Sequence, residues 1–339
     1  MHDHRFHELT VRRVVRETDE ARSFVLDVPA ELRGAFAYDA GQFCTFRVRI
    51  DGEPQLRCYS MSSSPAVDHE LQVTVKRVPG GGVSNWMNDA LEPGSVIEVT
   101  CPAGVFRLRP GDGDIVAFAA GSGITPVISI MKEALATTAR RVRLLYANRD
   151  ADAVIFAAEL VDLAGRHPDR LEVSHHLDVE RGFVDAAAVA PFVGDPDAEY
   201  YLCGPAPFMD TVEAALVDRG VDGERVHVER FTPVVPPAPD PPSVAPAGPT
   251  VVTIALDGRT GAVQHRPGTT ILQTARQLGL APPFSCESGN CATCMAKLVH
   301  GTVKMYVNNA LTDDEVADRW ILTCQSVPTS AAVSVVYES

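Results

Sequence analysis

The sequence predicts a multidomain protein: an antiparallel β-barrel, an α/β domain with a parallel sheet, and a smaller β-rich domain. The first part of the chain reads as short strands separated by turns, and the middle part alternates strands with helices. A proline-rich segment then precedes the last part. A length of 339 residues allows two or three compact domains, and we place them at 1–110, 111–230 and 250–339, with a linker at 231–249.

Short runs of β-branched and aromatic residues recur through the first domain. Turn residues such as Asp51-Gly52 and Gly80-Gly81-Gly82 separate them, and one short helix is predicted at 84–91. Many short strands of this kind are typical of an antiparallel barrel. The predicted strands cover 10–15, 23–28, 43–50, 71–78 and 96–101.

The pattern changes to strand, turn and helix between residues 114 and 229. Strands joined by helical crossovers run parallel, and the helices then cover both faces of the sheet. The predicted strands cover 115–119, 142–146, 171–175, 199–203 and 225–228, and the predicted helices cover 125–136, 155–164 and 206–219.

Residues 231–250 contain eight prolines in twenty positions. Proline fixes φ and removes a backbone donor, so this segment is predicted to be a stiff linker. After it, runs at 251–256 and 261–265 flank Asp257-Gly258-Arg259-Thr260, which indicates a hairpin. A helix is predicted at 270–278.

Composition and charge disfavour several classes of protein. The formal charge of −14 disfavours binding to nucleic acid and to an anionic membrane surface, because both require a basic face. The most apolar window, 115–131, is interrupted by glycine and proline and is too short to span a bilayer. No export signal is predicted, so a cytoplasmic location is expected.

Four of the eight cysteines lie in the last domain with the spacing Cys286-x4-Cys291-x2-Cys294, and Cys324 follows after 29 intervening residues. Three thiolates on one loop and a fourth from a distant segment are the ligand pattern of a plant-type 2Fe-2S cluster. A structural zinc site is the alternative, but such sites usually present two separated Cys-x2-Cys pairs. Only one pair is present, so the spacing favours the cluster.

A second set of residues lies in the barrel domain. Arg57-Cys58-Tyr59-Ser60 supplies a guanidinium that can neutralise a pyrophosphate, a ring that can lie against a planar ring, and a hydroxyl that can reach a ring nitrogen. The glycine-to-helix turn at 82–85 offers N–H groups to a phosphate. Taken alone, Arg-x-Tyr-Ser is more often an ordinary strand, so its meaning depends on the rest of the chain.

Two further motifs lie at strand-to-helix turns of the α/β domain. The turn at 120–126, Ala-Gly-Ser-Gly-Ile-Thr-Pro, permits close backbone approach, and a dinucleotide phosphate can sit on the following helix N-terminus. Pro126 departs from the G-x-G-x-x-G fingerprint, and generic α/β turns look similar. Cys203-Gly204-Pro205 ends a later strand and leaves room for a ligand, although a buried structural cysteine is the alternative.

Taken together and in this order, the four sets resemble the ferredoxin–NADP reductase superfamily. The resemblance is to the branch that adds a plant-type ferredoxin domain at the C-terminus, and within it to reductase components of 3-ketosteroid 9α-hydroxylases. It covers about residues 7–338. It implies a FAD-binding β-barrel, an NAD(P)-binding α/β domain and a β-grasp ferredoxin domain.

The resemblance also implies roles for particular residues. It assigns Arg57, Tyr59 and Ser60 to FAD, with Ser60 near flavin N5. The flavin ring and the pyrophosphate are expected to be lined by Val75, Lys76, Gly82, Val83 and Ser84. The nicotinamide nucleotide is expected at Gly121, Thr125, Pro126, Cys203, Gly204 and Pro205. Glu229 and Phe231 match a carboxylate near the reacting rings and an aromatic over the flavin, but the chain continues past Phe231, which leaves that ring's role open.

The function implied is an NADH-dependent FAD/2Fe-2S reductase. Nicotinamide gives up two electrons as a hydride, whereas a 2Fe-2S cluster accepts one at a time, so a flavin must convert between them. The expected catalytic residues are Ser60, Cys203 and Glu229.

The coenzyme is left open by the residues alone. Asn148 and Arg149 follow the second α/β strand and precede Asp150. An acidic residue there can hold a ribose diol, and an arginine can take up a 2′-phosphate. Both are present, and the resemblance favours NADH over NADPH.

The expected partner is the terminal component of a Rieske-type oxygenase acting on a steroid or another catabolic substrate, reached through a transient electron-transfer complex. The acidic charge favours docking to a basic patch. One alternative is the reductase of a diiron multicomponent monooxygenase of the phenylacetyl-CoA type. Another is a non-catalytic electron carrier or redox sensor, which the joint presence of the FAD and nucleotide motifs disfavours.

Overall fold

The computed structural model describes residues 6–231, 250–280, 282–284, 287, 289, 292–308 and 310–337. These residues fall into two compact units, one formed by most of 6–231 and one formed mainly by 250–337. Two of the predicted cluster ligands, Cys286 and Cys291, lie outside the described residues, as does the predicted linker after Phe231. Within the described part of the chain, no helix is both long enough and apolar enough to cross a bilayer.

The first unit begins with the predicted antiparallel barrel. A six-stranded sheet has the order β4-β3-β6-β1-β2-β5. The strands are β1 (Phe6–Arg16), β2 (Ala21–Asp27), β3 (Phe43–Ile50), β4 (Glu53–Ser60), β5 (Leu71–Lys76) and β6 (Val96–Thr100), and helix α1 covers Gly82–Ala90.

An isolated antiparallel bridge joins the two ends of this sheet. Met61, directly after β4, pairs with Val73 of β5, and the next N–H, that of Ser62, donates to Gln72 O at 2.8 Å. The sheet therefore curls round on itself. Its interior is filled by fully buried side chains such as Phe46.

Strand β4 is absent from the sequence prediction, because Pro54 and a run of polar residues obscure it. The turn before it explains why the strand forms. Asp51 and Gly52 both have positive φ, 54° and 84°, as a two-residue type I′ hairpin turn requires. This turn folds β4 back against β3.

The rest of the first unit is the predicted α/β domain. Its five-stranded parallel sheet has the order β11-β10-β7-β8-β9. The strands are β7 (Ile115–Ala120), β8 (Val142–Asn148), β9 (Leu171–Leu177), β10 (Glu199–Cys203) and β11 (Val226–Glu229). The helices are α2 (Ile124–Thr137), α3 (Ala157–Arg166), α4 (Asp178–Arg181), α5 (Ala186–Val189) and α6 (Ala206–Asp218).

Both faces of this sheet are buried. Along β7, Ile115 and Ala117 pack in one core cluster, and Val116 and Phe118 pack in another. Alternate residues of a strand point to opposite faces, so the two clusters lie on either side of the sheet. The strand order also reverses between β7 and β10, which makes that position the topological switch point.

Helix α2 joins the α/β domain to the barrel through polar contacts. The Ser129 hydroxyl donates to Ser63 O of the barrel at 2.6 Å. Lys132, whose side chain is 5 % exposed, forms ion pairs with Asp68 of the barrel at 2.7 Å and with Glu159 of α3 at 3.0 Å. Because Ser129 and Lys132 are buried and their contacts are directional, they fix the orientation of α2 on the barrel.

The second unit is a mixed sheet with the order β13-β12-β18-β14-β16, together with a short pair, β15 and β17. Among its described strands, only β12 and β18 pair in parallel, as in a β-grasp sheet. The elements are β12 (Val251–Leu256), β13 (Arg259–Gln264), α7 (Ile271–Gln277), β14 (Met295–His300), β15 (Val303–Met305), α8 (Asp313–Ala317), β16 (Trp320–Leu322), β17 (Ser326–Pro328) and β18 (Ala332–Val336).

The predicted hairpin and helix of this unit are both present. The hairpin turns at Asp257 and Gly258, whose φ values of 49° and 72° repeat the Asp-Gly geometry of the turn before β4. Helix α7 starts with a capping box between Thr270 and Gln273. The five strands after the cysteine loop are additions to the sequence prediction.

Gly123 provides a test of the packing at the switch point. A Cβ built on Gly123 would lie 2.0 Å from Cys203 O. We therefore expect Gly123→Ala to lower the free energy of unfolding of the first unit by roughly 1–3 kcal/mol, as overpacking does. The measurement is calorimetric unfolding of the full chain.

Gly165 in α3 is the matched control, since a Cβ there would meet nothing within 4 Å. Gly165→Ala should be neutral or stabilising by up to about 1 kcal/mol, because alanine is the better helix former. Equal stabilities for the Gly123→Ala variant and the unmodified protein would contradict the close approach.

Candidate active site and cluster site

The carboxyl edge of the parallel sheet brings together residues that are distant in sequence. Asn148, Cys203 and Glu229 are the last residues of β8, β10 and β11, and parallel strands end at the same edge. Cys203 pairs in register with Glu229 on one side and with Ala119 of β7 on the other. The switch point between β7 and β10 is where an α/β sheet of this type binds its ligand.

The Gly121 turn is held in place at this edge by side chains of its own domain. The Tyr146 hydroxyl donates to Gly121 O at 3.0 Å, and the Thr125 hydroxyl donates to Ser122 O at 3.0 Å. Gly121 has a φ of 52°, in the left-handed region that glycine tolerates. A Cβ on Gly121 would lie 3.8 Å from Lys76 Nζ of the barrel, so two of the predicted cofactor residues are neighbours.

Asn148 provides a test of whether this edge suits a nucleotide. Its side chain is 5 % exposed, and apart from the nearby Tyr146 hydroxyl, which donates to Gly121 O, the described residues offer its amide no hydrogen-bond partner. A buried amide without partners costs free energy unless a ligand supplies them. The hydroxyl and phosphate groups of a dinucleotide would do so, and the Asn148 side chain therefore fits such a ligand.

Arg149 lies beside two carboxylates. Its Nε lies 2.7 Å from Asp150 Oδ2, and its Nη1 lies 3.8 Å from Glu20 Oε1. Glu20 also lies 3.8 Å from Lys76 Nζ, so it stands between the two cations. The hydrogen bond from Arg149 lowers the pKa of Asp150, and Asp150 also accepts the Ala153 N–H at 3.0 Å. Its carboxyl is thus held as an anion at the strand end.

Packing within the chain accounts for two of the predicted nucleotide residues, Gly204 and Pro126. A Cβ on Gly204 would lie 2.8 Å from the Phe208 ring and 3.0 Å from Ala120 Cβ. Glycine is therefore required here by the chain's own packing. Pro126 is buried in the first turn of α2, whereas Pro205 is exposed at the start of α6.

A segment missing from the sequence prediction also reaches this edge. Helix α4 follows β9, and its Val179 N–H donates to Arg149 O at 3.1 Å. Asp178 opens this helix, and Phe183 follows it with 86 % of its surface exposed. An exposed aromatic ring such as that of Phe183 suits stacking on an adenine. The sequence feature that could have revealed this segment is an aromatic residue, Phe183, directly after Gly182 in a polar loop.

Beyond β11, Arg230 pairs with Asp210 of α6 at 2.9 Å. The next residue, Phe231, is 41 % exposed. Its ring is thus accessible to a ligand, and it is the last described residue of the first unit.

Three of the residues predicted to bind FAD lie on strand β4 and differ in their exposure. Ser60 is buried, Tyr59 is half-buried and Arg57 is exposed. The Tyr59 ring meets the Phe46 ring edge-on, with centroids 5.6 Å apart, which fixes its orientation. An exposed guanidinium near a fixed aromatic and a hydroxyl fits the pyrophosphate and ring of a flavin dinucleotide.

Because Met61 pairs with Val73 in antiparallel orientation, Ser60 lies next to the stretch 74–76 of β5. The side chains of Val75 and Val83 are buried in the barrel core, so only their backbone groups are available to a cofactor. Helix α1 begins at Gly82 without a side-chain cap. Its first N–H groups therefore suit a phosphate.

Ser84, also predicted for FAD, lies in the first turn of α1. Its hydroxyl accepts the Val78 N–H at 3.3 Å. The side chain thus orders the glycine-rich turn that leads into the helix.

The second unit brings two of the predicted cluster ligands together. Met295 pairs with Leu322 in the β14–β16 register, so Cys294 and Cys324 lie at the same end of the sheet. The Cys324 N–H donates to Cys294 Sγ at 3.5 Å, and both cysteines are buried. Hydrogen bonds to the sulfurs are part of the environment that iron–sulfur thiolates require. This donor set fits a 2Fe-2S cluster.

The described part of the cysteine loop is tightly turned. Glu287, Gly289 and Ala292 have φ of 50°, 82° and 52°, which is unusual for the two that are not glycine. A Cβ on Gly289 would lie 2.8 Å from Val307 O. Left-handed backbone and close packing are what a loop needs to wrap a small ligand.

Three known domain families match the chain. The oxidoreductase FAD-binding domain matches residues 8–108, the oxidoreductase NAD-binding domain matches 118–214, and the 2Fe-2S iron-sulfur cluster binding domain matches 254–329. The chain is 40 % identical over 347 residues to the ferredoxin reductase component of 3-ketosteroid-9-alpha-monooxygenase from Mycolicibacterium smegmatis, covering 98 % of this chain and 97 % of that protein. The chain belongs to the ferredoxin reductase components of multicomponent oxygenases. It is an oxidoreductase with FAD-, NAD- and 2Fe-2S-binding domains.

Two further relatives of this reductase bear on its partner and its fold. It is 33 % identical to a component of the 1,2-phenylacetyl-CoA epoxidase from Escherichia coli, over 98 % of each chain. The solved structure of phthalate dioxygenase reductase, described as modular for electron transfer from pyridine nucleotides to [2Fe-2S], matches with a TM-score of 0.62 and 26 % identity, over 98 % of each chain. The predicted combination of FAD barrel, nucleotide domain and ferredoxin domain is confirmed.

Cys203 gives a prediction about reactivity at this edge. Burial raises the pKa of its thiol well above the ordinary value, and the charge of Glu229 raises it further. Since the thiolate is the reactive form, we expect iodoacetamide at pH 8 to leave Cys203 unmodified in the folded reductase and to modify it after unfolding in urea. Peptide mass spectrometry measures both.

The sign of the pH effect follows from the raised pKa. As pH rises past the thiol pKa of the unfolded chain, that chain loses its proton first, so the stability of the folded state falls. Rapid modification of Cys203 in the native protein at pH 8 would contradict the buried, neutral thiol.

Proposed function

We propose that this reductase transfers electrons from NADH through FAD and the 2Fe-2S cluster to the terminal component of a Rieske-type oxygenase, with a 3-ketosteroid 9α-hydroxylase as the first candidate. The observation that carries the proposal is the register of β10 and β11, in which Cys203 lies beside Glu229 at the switch point. The adjacent Gly121 turn reaches the barrel at Lys76. A nicotinamide at this edge would therefore face a flavin held at the end of β4.

Residues of the barrel and of the α/β domain would divide the work. Arg57, Tyr59 and the uncapped start of α1 would hold FAD, and the Gly121 turn and Asn148 would hold the dinucleotide. Ser60, Cys203 and Glu229 surround the position of hydride transfer. When bound, the flavin supplies the conversion of one two-electron step into two one-electron steps. Glu229 stabilises the positive charge that develops on the nicotinamide as the hydride leaves.

The environment of Arg149 supports NADH as the coenzyme. Its guanidinium already faces the carboxylates of Asp150 and Glu20. A 2′-phosphate would have to approach both carboxylates, which like charges disfavour. The ribose diol of NADH can instead donate hydrogen bonds to Asp150.

The cluster is proposed to be bound by Cys286, Cys291, Cys294 and Cys324. The hydrogen bond between Cys324 and the Cys294 sulfur supports the two described ligands. We place the domain boundaries at 1–110, 111–230 and 250–339, and each sheet lies within one of these ranges. We propose a cytoplasmic location, where NADH is available as the electron source.

The partner is proposed to dock transiently, with a basic patch facing the acidic reductase, whose formal charge is −14. A 3-ketosteroid hydroxylase is favoured over a phenylacetyl-CoA oxygenase because identity is 40 % to the reductase of the first and 33 % to a component of the second. Reconstitution with each oxygenase separates the two. Faster NADH-dependent turnover with the phenylacetyl-CoA system would overturn the first candidate.

Glu229→Gln tests the hydride-transfer site. Removing the charge while keeping the shape should slow flavin reduction by NADH roughly tenfold or more, about 1.4 kcal/mol in the barrier. Stopped-flow absorbance under anaerobic conditions measures this step directly.

Glu224→Gln is the matched control, because Glu224 is exposed in the turn before the other end of β11. It should leave the rate unchanged. Equal rates of flavin reduction in the Glu229→Gln and Glu224→Gln variants would contradict a role for Glu229 in hydride transfer.

An anaerobic titration of the full-length reductase with NADH tests the electron path as a whole. We expect the absorbance of flavin and cluster to bleach together, and kcat/KM with NADH to exceed that with NADPH at least tenfold, about 1.4 kcal/mol. Bleaching of the flavin without bleaching of the cluster would contradict the proposed electron path. A tenfold preference for NADPH would overturn the coenzyme assignment.

A further inference from the structure

The side chain of Gln325 lies between the fourth cysteine and the cysteine loop. Its Nε2 is 2.8 Å from Glu287 O and 3.6 Å from Cys324 Sγ. The residue is 2 % exposed. A primary amide carries two N–H donors, so one can serve the loop carbonyl and the other the sulfur.

The backbone and the stem of Gln325 are fixed as well. Its N–H donates to Leu322 O at 2.9 Å, and its carbonyl accepts the Tyr306 N–H at 3.0 Å. Its Cγ lies 3.1 Å from where a Cβ on Gly289 would be. A side chain wedged in this way stays beside the sulfur without further ordering.

We propose that Gln325 is a positioning residue for the cluster, which anchors the loop through Glu287 and raises the reduction potential through its hydrogen bond to Cys324 Sγ. The proposal rests on the ligation of the cluster by Cys324. Reduction adds negative charge to the cluster and its sulfurs, and a hydrogen bond to a charged acceptor is stronger than one to a neutral acceptor. The amide therefore stabilises the reduced state more than the oxidised one, and hydrogen bonds to sulfur are among the factors that set such potentials.

The size of the effect follows from the strength of one buried hydrogen bond. Its loss should reduce the equilibrium constant for cluster reduction about threefold to tenfold. Tenfold corresponds to a fall in potential of about 59 mV for a one-electron couple.

The test is a redox titration of the full-length protein, followed by the electron paramagnetic resonance signal of the reduced cluster. Gln325→Leu keeps the side-chain volume and removes both donors, so its potential should fall by the stated amount. Gln325→Glu replaces the donors by acceptors and should lower the potential further. A Gln325→Leu potential equal to that of the unmodified protein would overturn the proposal.

Gln273→Leu is the matched control. Gln273 accepts the Thr270 N–H in the capping box of α7, at 2.9 Å, in the same unit. This variant loses a structural hydrogen bond without a sulfur contact, so its potential should stay unchanged. An equal fall in the Gln273→Leu and Gln325→Leu variants would assign the effect to general loosening and overturn the proposal.

A measurement on the unmodified protein covers the case in which Gln325→Leu fails to hold a cluster. Labelling the glutamine side chains with ¹⁵N should produce a hyperfine coupling to the reduced cluster, and its absence would overturn the proposal. Lack of any reducible cluster in the unmodified protein would overturn the ligand assignment and this proposal together. An unchanged potential in a loaded variant overturns this proposal alone.

Discussion

The first unit depends on the way helix α2 is fixed to the barrel. The helix starts at the Gly121 turn, so its orientation determines where the carboxyl edge of the sheet lies relative to the end of β4. Lys132 is buried there between Asp68 of the barrel and Glu159 of α3. Such an ion pair adds little net stability compared with apolar packing, but removing a carboxylate would leave the buried Lys132 ammonium less well compensated. The ion pair therefore determines how the two domains are oriented more than it raises the stability of the fold.

Because the sheet is parallel and held in this way, the candidate site assembles from local signals. Glycine turns, a Cys-Gly-Pro strand end and closely spaced cysteines are short patterns, and the sequence reveals them directly. The pairing of Cys203 with Glu229 could not be predicted from such patterns, because it depends on the order of the strands in the sheet. Likewise, Pro54 hid β4, and three of the strands after the cysteine loop, β15, β16 and β17, are only three residues long.

Glycine illustrates the limit of motif reading most clearly. Gly204 suggests space for a ligand, yet Phe208 and Ala120 already fill the space beside it. Gly123 is equally confined by the Cys203 carbonyl. These positions require glycine so that the strand ends can approach each other, and the ligand benefits only from the edge that results. Asn148 is the opposite case, because the described residues offer its buried amide no partner apart from one nearby hydroxyl group, and sequence alone gives no sign of this.

The pairing of Cys203 with Glu229 also sets the charge of the edge. Two acidic groups side by side are not easily ionised together. Burial raises the pKa of Cys203, and the charge of Glu229 adds to that effect. The Cys203 thiol is therefore neutral. A neutral, polarisable sulfur beside the Glu229 carboxyl fits the hydride-transfer site proposed at this edge.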